Sequence, residues 1–272
     1  MIDRPIPSSG ETLPIIGLGT WQTFDVGPEP ARRAALQDVL RTFVELGGRV
    51  VDTSPMYGRA ETVLGDLIDA NGLRSSLFVA TKVWTPGKAE GIRQMESSLA
   101  KLKTATVDLM QVHNLVDVEA HLATLEGWKR DGRVRSIGIT HYQAGGHDAL
   151  AKLVASRPLD FVQVNYSVGE REAENRLLPL CRERGVAVLV NRPFGGGGLI
   201  RRLRSRPVPA WAAELGCETW GQLLLKWVIA HPAVTCVIPA TSQVDHLRDN
   251  MAAGDGPLPD EQQRARIAAE AR

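Results

Sequence analysis

Three cysteines in 272 residues are too few for a disulfide framework, and Cys181, Cys217 and Cys236 lack metal-ligand spacing. A reducing compartment is the expectation. Charge of one sign is also missing. The formal net charge is +1, which gives no electrostatic footprint for nucleic acid or an anionic membrane. No apolar run approaches the length needed to span a bilayer. The opening residues Met1-Ile2-Asp3-Arg4-Pro5 lack the apolar core of a signal peptide. These absences point to a cytoplasmic protein with no nucleic-acid or membrane partner and no metal. Partner proteins are not readable. What remains is an ordinary globular composition, 43% hydrophobic and 23% charged. The length fits one large α/β barrel or two smaller domains.

Short β-rich runs alternate with longer amphipathic ones. The β-rich runs are 15–19, 50–52, 77–82, 107–113, 134–140, 161–165, 186–190 and 235–239. Each is short and mostly apolar on both faces, as expected of parallel strands buried on both sides. Between them lie helical stripes, such as Leu36, Val39, Leu40, Phe43 and Val44, or Ile92, Met95, Leu99 and Leu102. Gly47, Gly72, Gly132 and Gly185 each follow a helical pattern, where a left-handed residue ends a helix. The repeat is strand, helix, glycine stop, strand. Residues 201–209 read as an insert, and 258–272 as a terminal helix on the outside. Eight such units predict an α/β fold, a (β/α)8 TIM barrel spanning residues 1–272 as a single domain. A doubly wound open sheet is the rival, weakened by the lack of a G-x-G-x-x-G turn at the first helix.

Chemistry in such barrels sits at the C-terminal ends of the strands. Asp52 ends the second run, with Tyr57 five residues on. Lys82 ends the third and His113 the fourth. Thr140 and His141 end the fifth, Gln163 lies on the sixth, and Asn191 and Arg192 follow the seventh. Singly, each has a bland explanation as a cap, a solvated charge or a core hydrogen bond. Together they aim ionisable groups at one mouth, which favours a shared site. A Lys beside a Tyr stabilises phenolate, so the phenol's pKa is expected to fall below about 10. An Asp beside that Lys keeps it charged, and a His there can polarise a carbonyl. The set suits carbonyl reduction.

The sequence closely resembles the aldo-keto reductase superfamily along essentially its whole length. The matching stretches include Gly17-Leu18-Gly19-Thr20-Trp21, Asp52-Thr53-Ser54-Pro55-Met56-Tyr57-Gly58 and Ala60-Glu61-Thr62-Val63-Leu64-Gly65. Ala80-Thr81-Lys82, Asp108-Leu109-Met110-Gln111-Val112-His113, Gly138-Ile139-Thr140, Gln163-Val164-Asn165 and Ile238-Pro239 continue the match. Their order and spacing are specific where any one alone is weak. The opening residues 2–15 resemble the β-hairpin that closes the bottom of that family's barrel.

The resemblance implies that Asp52, Tyr57, Lys82 and His113 are a catalytic tetrad. It implies a nicotinamide cofactor across the barrel mouth, NADPH first and NADH as the alternative, and a small-molecule carbonyl substrate. Thr20 and Trp21 would border the nicotinamide, and Gln163 would hold its carboxamide, with Asp52, Thr140, His141, Asn191 and Arg192 as further cofactor contacts. Pro193-Phe194-Gly195-Gly196-Gly197-Gly198 would wrap the pyrophosphate. Ile238, Pro239, Thr241, Ser242, His246, Asp249 and Asn250 would line the adenosine end. Trp21, Tyr57, Trp84 and His113 would meet the substrate, and Phe194 is a further apolar candidate.

Three departures from the family pattern stand out. His141 replaces a common Asn, Asn191 replaces a common stacking Tyr, and Ala240 and His246 replace the Lys and Arg that often hold the 2′-phosphate. Two other classes fit the residues less well. One is a nucleotide-binding redox sensor or regulatory subunit with a reductase-like barrel. The other is a lyase or isomerase using Lys82 as a Schiff base.

Overall fold

The computed structural model describes residues 1–272. Two short strands, β1 (Asp3–Pro5) and β2 (Thr12–Pro14), open the chain as an antiparallel pair with Arg4 opposite Leu13. Eight parallel strands follow: β3 (Leu18–Gly19), β4 (Val50–Asp52), β5 (Phe78–Val83), β6 (Val107–His113), β7 (Val134–His141), β8 (Phe161–Asn165), β9 (Ala187–Asn191) and β10 (Cys236–Val237). Each pairs with its neighbour in chain order. The two edges then meet, through parallel bridges from Ile16 to Val237 and from Gly19 to Ala240. A side chain at Gly19 would sit 2.8 Å from the Ile238 carbonyl, so the seam needs glycine there.

The helices are α1 (Pro30–Glu45), α2 (Ala60–Ala70), α3 (Lys88–Lys101), α4 (Val118–Arg130), α5 (His147–Ser156), α6 (Leu177–Arg184), α7 (Gly198–Leu203), α8 (Trp220–Ile229), α9 (Val244–Ala252) and α10 (Glu261–Glu270). Gly47, Gly72, Gly132 and Gly185 take φ of +83°, +62°, +73° and +66°, the left-handed stops expected before the next strand. The terminal helix is shorter than the 258–272 pattern because Asp260 and Gln263 cap each other reciprocally at its start. The 201–209 insert begins inside α7 rather than in a loop.

Strand alternation divides the core into two layers. Outside the barrel, helix stripes pack on one set of strand side chains. Inside, Val50, Phe78, Leu109, Phe161 and Leu189 form a separate cluster with Ile6 and Leu13 of the hairpin. The hairpin therefore closes the bottom, as expected. Full burial of one such phenylalanine is worth roughly 1.5–3 kcal/mol. Arg4 ties the hairpin to the end of α8, donating to the carbonyls of Ile229 at 2.8 Å and His231 at 2.9 Å. No helix is long and apolar enough to cross a membrane.

Candidate active site

The inward side chains change character along each strand. On β5 they run Phe78, Ala80, Lys82, and on β6 Leu109, Gln111, His113. The apolar members fill the barrel's lower half, so the polar ones reach its upper mouth together. Strand register places Asp52 beside Ala80, Lys82 beside Gln111, and Thr140 beside both His113 and Gln163.

Asp52 and Lys82 form a buried ion pair. Lys82 Nζ donates to Asp52 Oδ1 at 2.8 Å, to Oδ2 at 2.7 Å and to the Thr53 carbonyl at 2.7 Å. Gln163 Nε2 donates to Asp52 Oδ1 at 2.8 Å. Burial alone would lower the Lys82 pKa, but the Asp52 carboxylate and Tyr57 outweigh it, and the net direction is upward. The ammonium lies 5.2 Å from the centre of the Tyr57 ring.

Tyr57 itself corrects an expectation. Burial pushes its phenol up, Lys82 pulls it down, Asp52 pushes it up again, and the net direction is upward. Lys82 limits the rise rather than bringing the pKa below the ordinary value. The phenol therefore keeps its proton at neutral pH, as an acid must. His113 is pushed down to about 3 by burial, by Lys82 and by His141, so it is neutral. The Tyr57 ring meets His113 edge-on at 6.2 Å, and Trp84 lies 6.3 Å away on the same ring.

Of the expected tetrad, all except Lys82, which is buried beneath, open on one cavity of about 530 Å³, within the usual range for a small-molecule site. Asp52, Tyr57 and His113 line it with Thr20, Trp21 and Trp84. Gln163, Asn191, Arg192, Pro193, Phe194 and Gly196 line another side, and Ile238 and Pro239 a third. Other expected residues are turned elsewhere. Thr140 spends its hydroxyl on Gln163 Oε1 at 3.0 Å. His141 does not reach the cavity; its ring stacks on Tyr142 and its Nδ1 engages Gln143. At the adenosine end, the Thr241 hydroxyl accepts the Gln243 N–H at 3.1 Å. Asp249 accepts from Thr219 and from Gln222, so it clamps α9 to α8. Thr241, Ser242, His246, Asp249 and Asn250 all lie outside the cavity lining.

Sequence reasoning missed Gly19, Gln22, Thr23, Met56, Asn114 and Tyr142 as site residues, although they also line the cavity. Asn114 and Tyr142 carried a signal, each as the residue after a strand end, and Gly19 and Met56 stand inside the matching stretches 17–21 and 52–58.

Gly195, Gly196 and Gly197 have φ of +57°, +65° and +85°, which only glycine adopts freely. The N–H groups of Gly195, Gly197 and Gly198 are spent on carbonyls within the loop. Gly195 itself does not line the cavity, whereas Gly196 and Gly197 do. The Arg192 guanidinium lies 3.5 Å from where a Gly196 side chain would begin. Arg192 Nε is buried without a hydrogen-bond partner and 3.9 Å from Glu170. A glycine edge beside the Arg192 guanidinium fits a phosphate-bearing cofactor. No group of three or more His, Cys, Asp or Glu side chains is placed to hold a metal ion.

Comparison with known proteins agrees with this geometry. The model of the Aldo/keto reductase family matches residues 15–269. The methylglyoxal reductase YeaE of Escherichia coli is 31% identical over 260 residues, covering 93% of this chain and 89% of that protein. An NADH-specific methylglyoxal reductase of Escherichia coli is 27% identical, covering 92% of each chain. A crystal structure of an aldo-keto reductase from Klebsiella pneumoniae in complex with NADPH superposes with a TM-score of 0.82 at 28% identity, covering 99% of this chain and 95% of that one. The chain belongs to the aldo/keto reductase family and is an oxidoreductase built on a (β/α)8 barrel.

Proposed function

We propose that this enzyme, its 272 residues acting as one catalytic unit, reduces an aldehyde or ketone to the alcohol with Tyr57 as general acid. The observation that carries the reading is the buried Asp52–Lys82 pair beneath Tyr57, with neutral His113 facing the same cavity. NADPH, when bound, supplies the hydride. Tyr57 gives its phenolic proton to the carbonyl oxygen. Lys82, held charged by Asp52, stabilises the phenolate left behind. His113 orients the carbonyl, and Trp21 and Trp84 exclude water from it.

Arg192 and the Gly196 edge hold the cofactor's pyrophosphate, and Gln163 and Thr20 its nicotinamide end. NADPH is the first choice and NADH the alternative, because Ala240 and His246 offer the 2′-phosphate no fixed cation. Arg248, exposed on α9, supplies what charge there is. Small 2-oxoaldehydes are the substrates to try first, since two relatives are named methylglyoxal reductases. The test is cofactor absorbance over a panel of aldehydes and ketones that includes methylglyoxal, run with NADPH and then NADH. Substrate-dependent oxidation of either cofactor supports the reading. Cofactor binding without turnover on any carbonyl contradicts it.

A further inference from the structure

Ser54 sits two residues after Asp52 and is fully buried. Its backbone carbonyl accepts the Tyr57 N–H at 3.0 Å, and its Oγ lies 3.2 Å from Nδ1 of His113. We infer that Ser54 is a positioning residue whose hydroxyl donates to His113 Nδ1, fixing the tautomer that presents Nε2–H to the substrate carbonyl. The inference rests on the reading of this cavity as a carbonyl-reducing site.

The assignment follows from counting protons and lone pairs. A serine hydroxyl has one proton to give and two lone pairs to receive. The Met56 N–H already points at Oγ, at 3.4 Å. If Nδ1 carried the ring proton, Oγ would receive twice, and its own buried proton would have no acceptor, since Oγ has no other partner. If the hydroxyl donates to a bare Nδ1, every group is satisfied. The imidazole proton then resides on Nε2. That nitrogen has no protein partner and is not among the buried unpartnered atoms, so it is open to the cavity that His113 lines. The depressed pKa of His113 leaves only the two neutral tautomers to choose between.

The choice has a chemical consequence. With Nε2–H, the cavity offers a carbonyl oxygen two donors, Tyr57 Oη–H and His113 Nε2–H. With a bare Nε2, a lone pair faces that oxygen instead. The flanking rings of Tyr57 and Trp84 restrain the plane of His113 but do not distinguish its nitrogens. Ser54 is the group that does. One residue thereby sets the acid's backbone through its carbonyl and the acid's companion through its hydroxyl.

The experiment is a proton–nitrogen correlation spectrum of the protein labelled with ¹⁵N-histidine at pH 7, with the His113 signals identified by their loss in His113→Gln. Wild type should show a protonated Nε2 and a bare Nδ1. Ser54→Ala should show a mixture of tautomers or the reverse one. Its kcat for carbonyl reduction should fall by about tenfold, a part of the 10²–10³ that loss of a whole oxyanion donor costs. Ser54→Thr keeps the hydroxyl and should restore both the signal and the rate. A wild type with protonated Nδ1 overturns the inference without any variant. So does Ser54→Ala with an unchanged tautomer, or with a changed tautomer and full kcat. A wild type that holds Nε2–H yet turns over no carbonyl fails the proposed function, not the Ser54–His113 assignment, so the two failures are told apart.

Discussion

Lys82 places its ammonium 5.2 Å from the centre of the Tyr57 ring while being wholly inaccessible to solvent. A buried cation beside a phenol lowers the cost of ionising that phenol, and the Asp52 carboxylate lowers the cost of burying the cation. In the proposed mechanism the pair serves the chemistry, and its removal can be read in both activity and stability.

Stability gives the first expected result. Asp52→Asn leaves Lys82 buried without its counter-charge, and should cost about 3–5 kcal/mol. Lys82→Met strands the carboxylate at comparable cost. The double variant should lose much less than the sum, because no lone buried charge remains. Urea unfolding of the four proteins measures this, and additive losses would contradict the pairing. The pH sign is fixed as well. The folded pKa of Lys82 lies above its unfolded value, so its contribution is complete below about 10.4 and disappears as pH climbs through the folded value.

His113 has the opposite sign. Its folded pKa of about 3 lies well below an unfolded value of about 6.5. Between those values the unfolded chain binds the extra proton, so stability falls as the pH falls. From pH 7 to pH 5 the loss should be about 2 kcal/mol greater in wild type than in His113→Gln. Equal losses in the two proteins would place the His113 pKa near its ordinary value. The same depression means that kcat/KM for reduction should show no inflection near pH 6.5.

Alcohol oxidation reports on Tyr57 as a base. Burial already raises its pKa, and Lys82 is the chief restraint on that rise. Lys82→Met should therefore move the oxidation profile to higher pH and depress reduction too, since a weaker acid releases its proton less readily. Asp52→Asn should do less, because it loosens the Lys without deleting it and also removes the carboxylate that pushes the phenol up. Superimposable profiles in wild type and Lys82→Met would remove Lys82 from the tuning of the acid.

Cofactor choice yields a further expectation. With Ala240 and His246 at the phosphate end, the preference for NADPH over NADH should be modest, about one to two powers of ten in Kd, or roughly 1.4–2.8 kcal/mol. Arg192→Ala should weaken both cofactors alike, because the pyrophosphate is common to them. Fluorescence titration decides. Equal Kd values for the two cofactors would show that the 2′-phosphate goes unrecognised, and a loss confined to NADPH in Arg192→Ala would move Arg192 to the adenosine end.

Much of this was legible in the sequence because of how a parallel barrel is built. Strands buried on both faces leave mostly apolar runs, so 107–113 and 161–165 coincide with β6 and β8. A polar residue at the last inward position ends such a run, which is why Asp52, Lys82 and His113 stood out, with Gln163 one inward position before the end of β8. Loop direction leaves no such trace. Asn114 and Leu115 both adopt left-handed backbone, φ of 52° and 58°, and no periodicity announces that turn. Tyr142 lines the cavity while His141 turns aside against Gly146, where a side chain would meet its ring at 2.3 Å. The sign of the Tyr57 shift was also out of reach, because burial depends on packed neighbours whereas the Lys beside it could be read directly. Local capping explains Thr241 and Asp249, whose polar atoms serve the ends of α9 and α8.

The central claim is that Tyr57 donates the proton, and Tyr57→Phe tests it most directly by removing the hydroxyl and keeping the ring. The measurement is kcat for reduction of the best aldehyde, beside the Kd of NADPH, in wild type and variant. The account predicts at least about a hundredfold loss in kcat with the Kd unchanged. Turnover close to wild type would show that the proton comes from elsewhere.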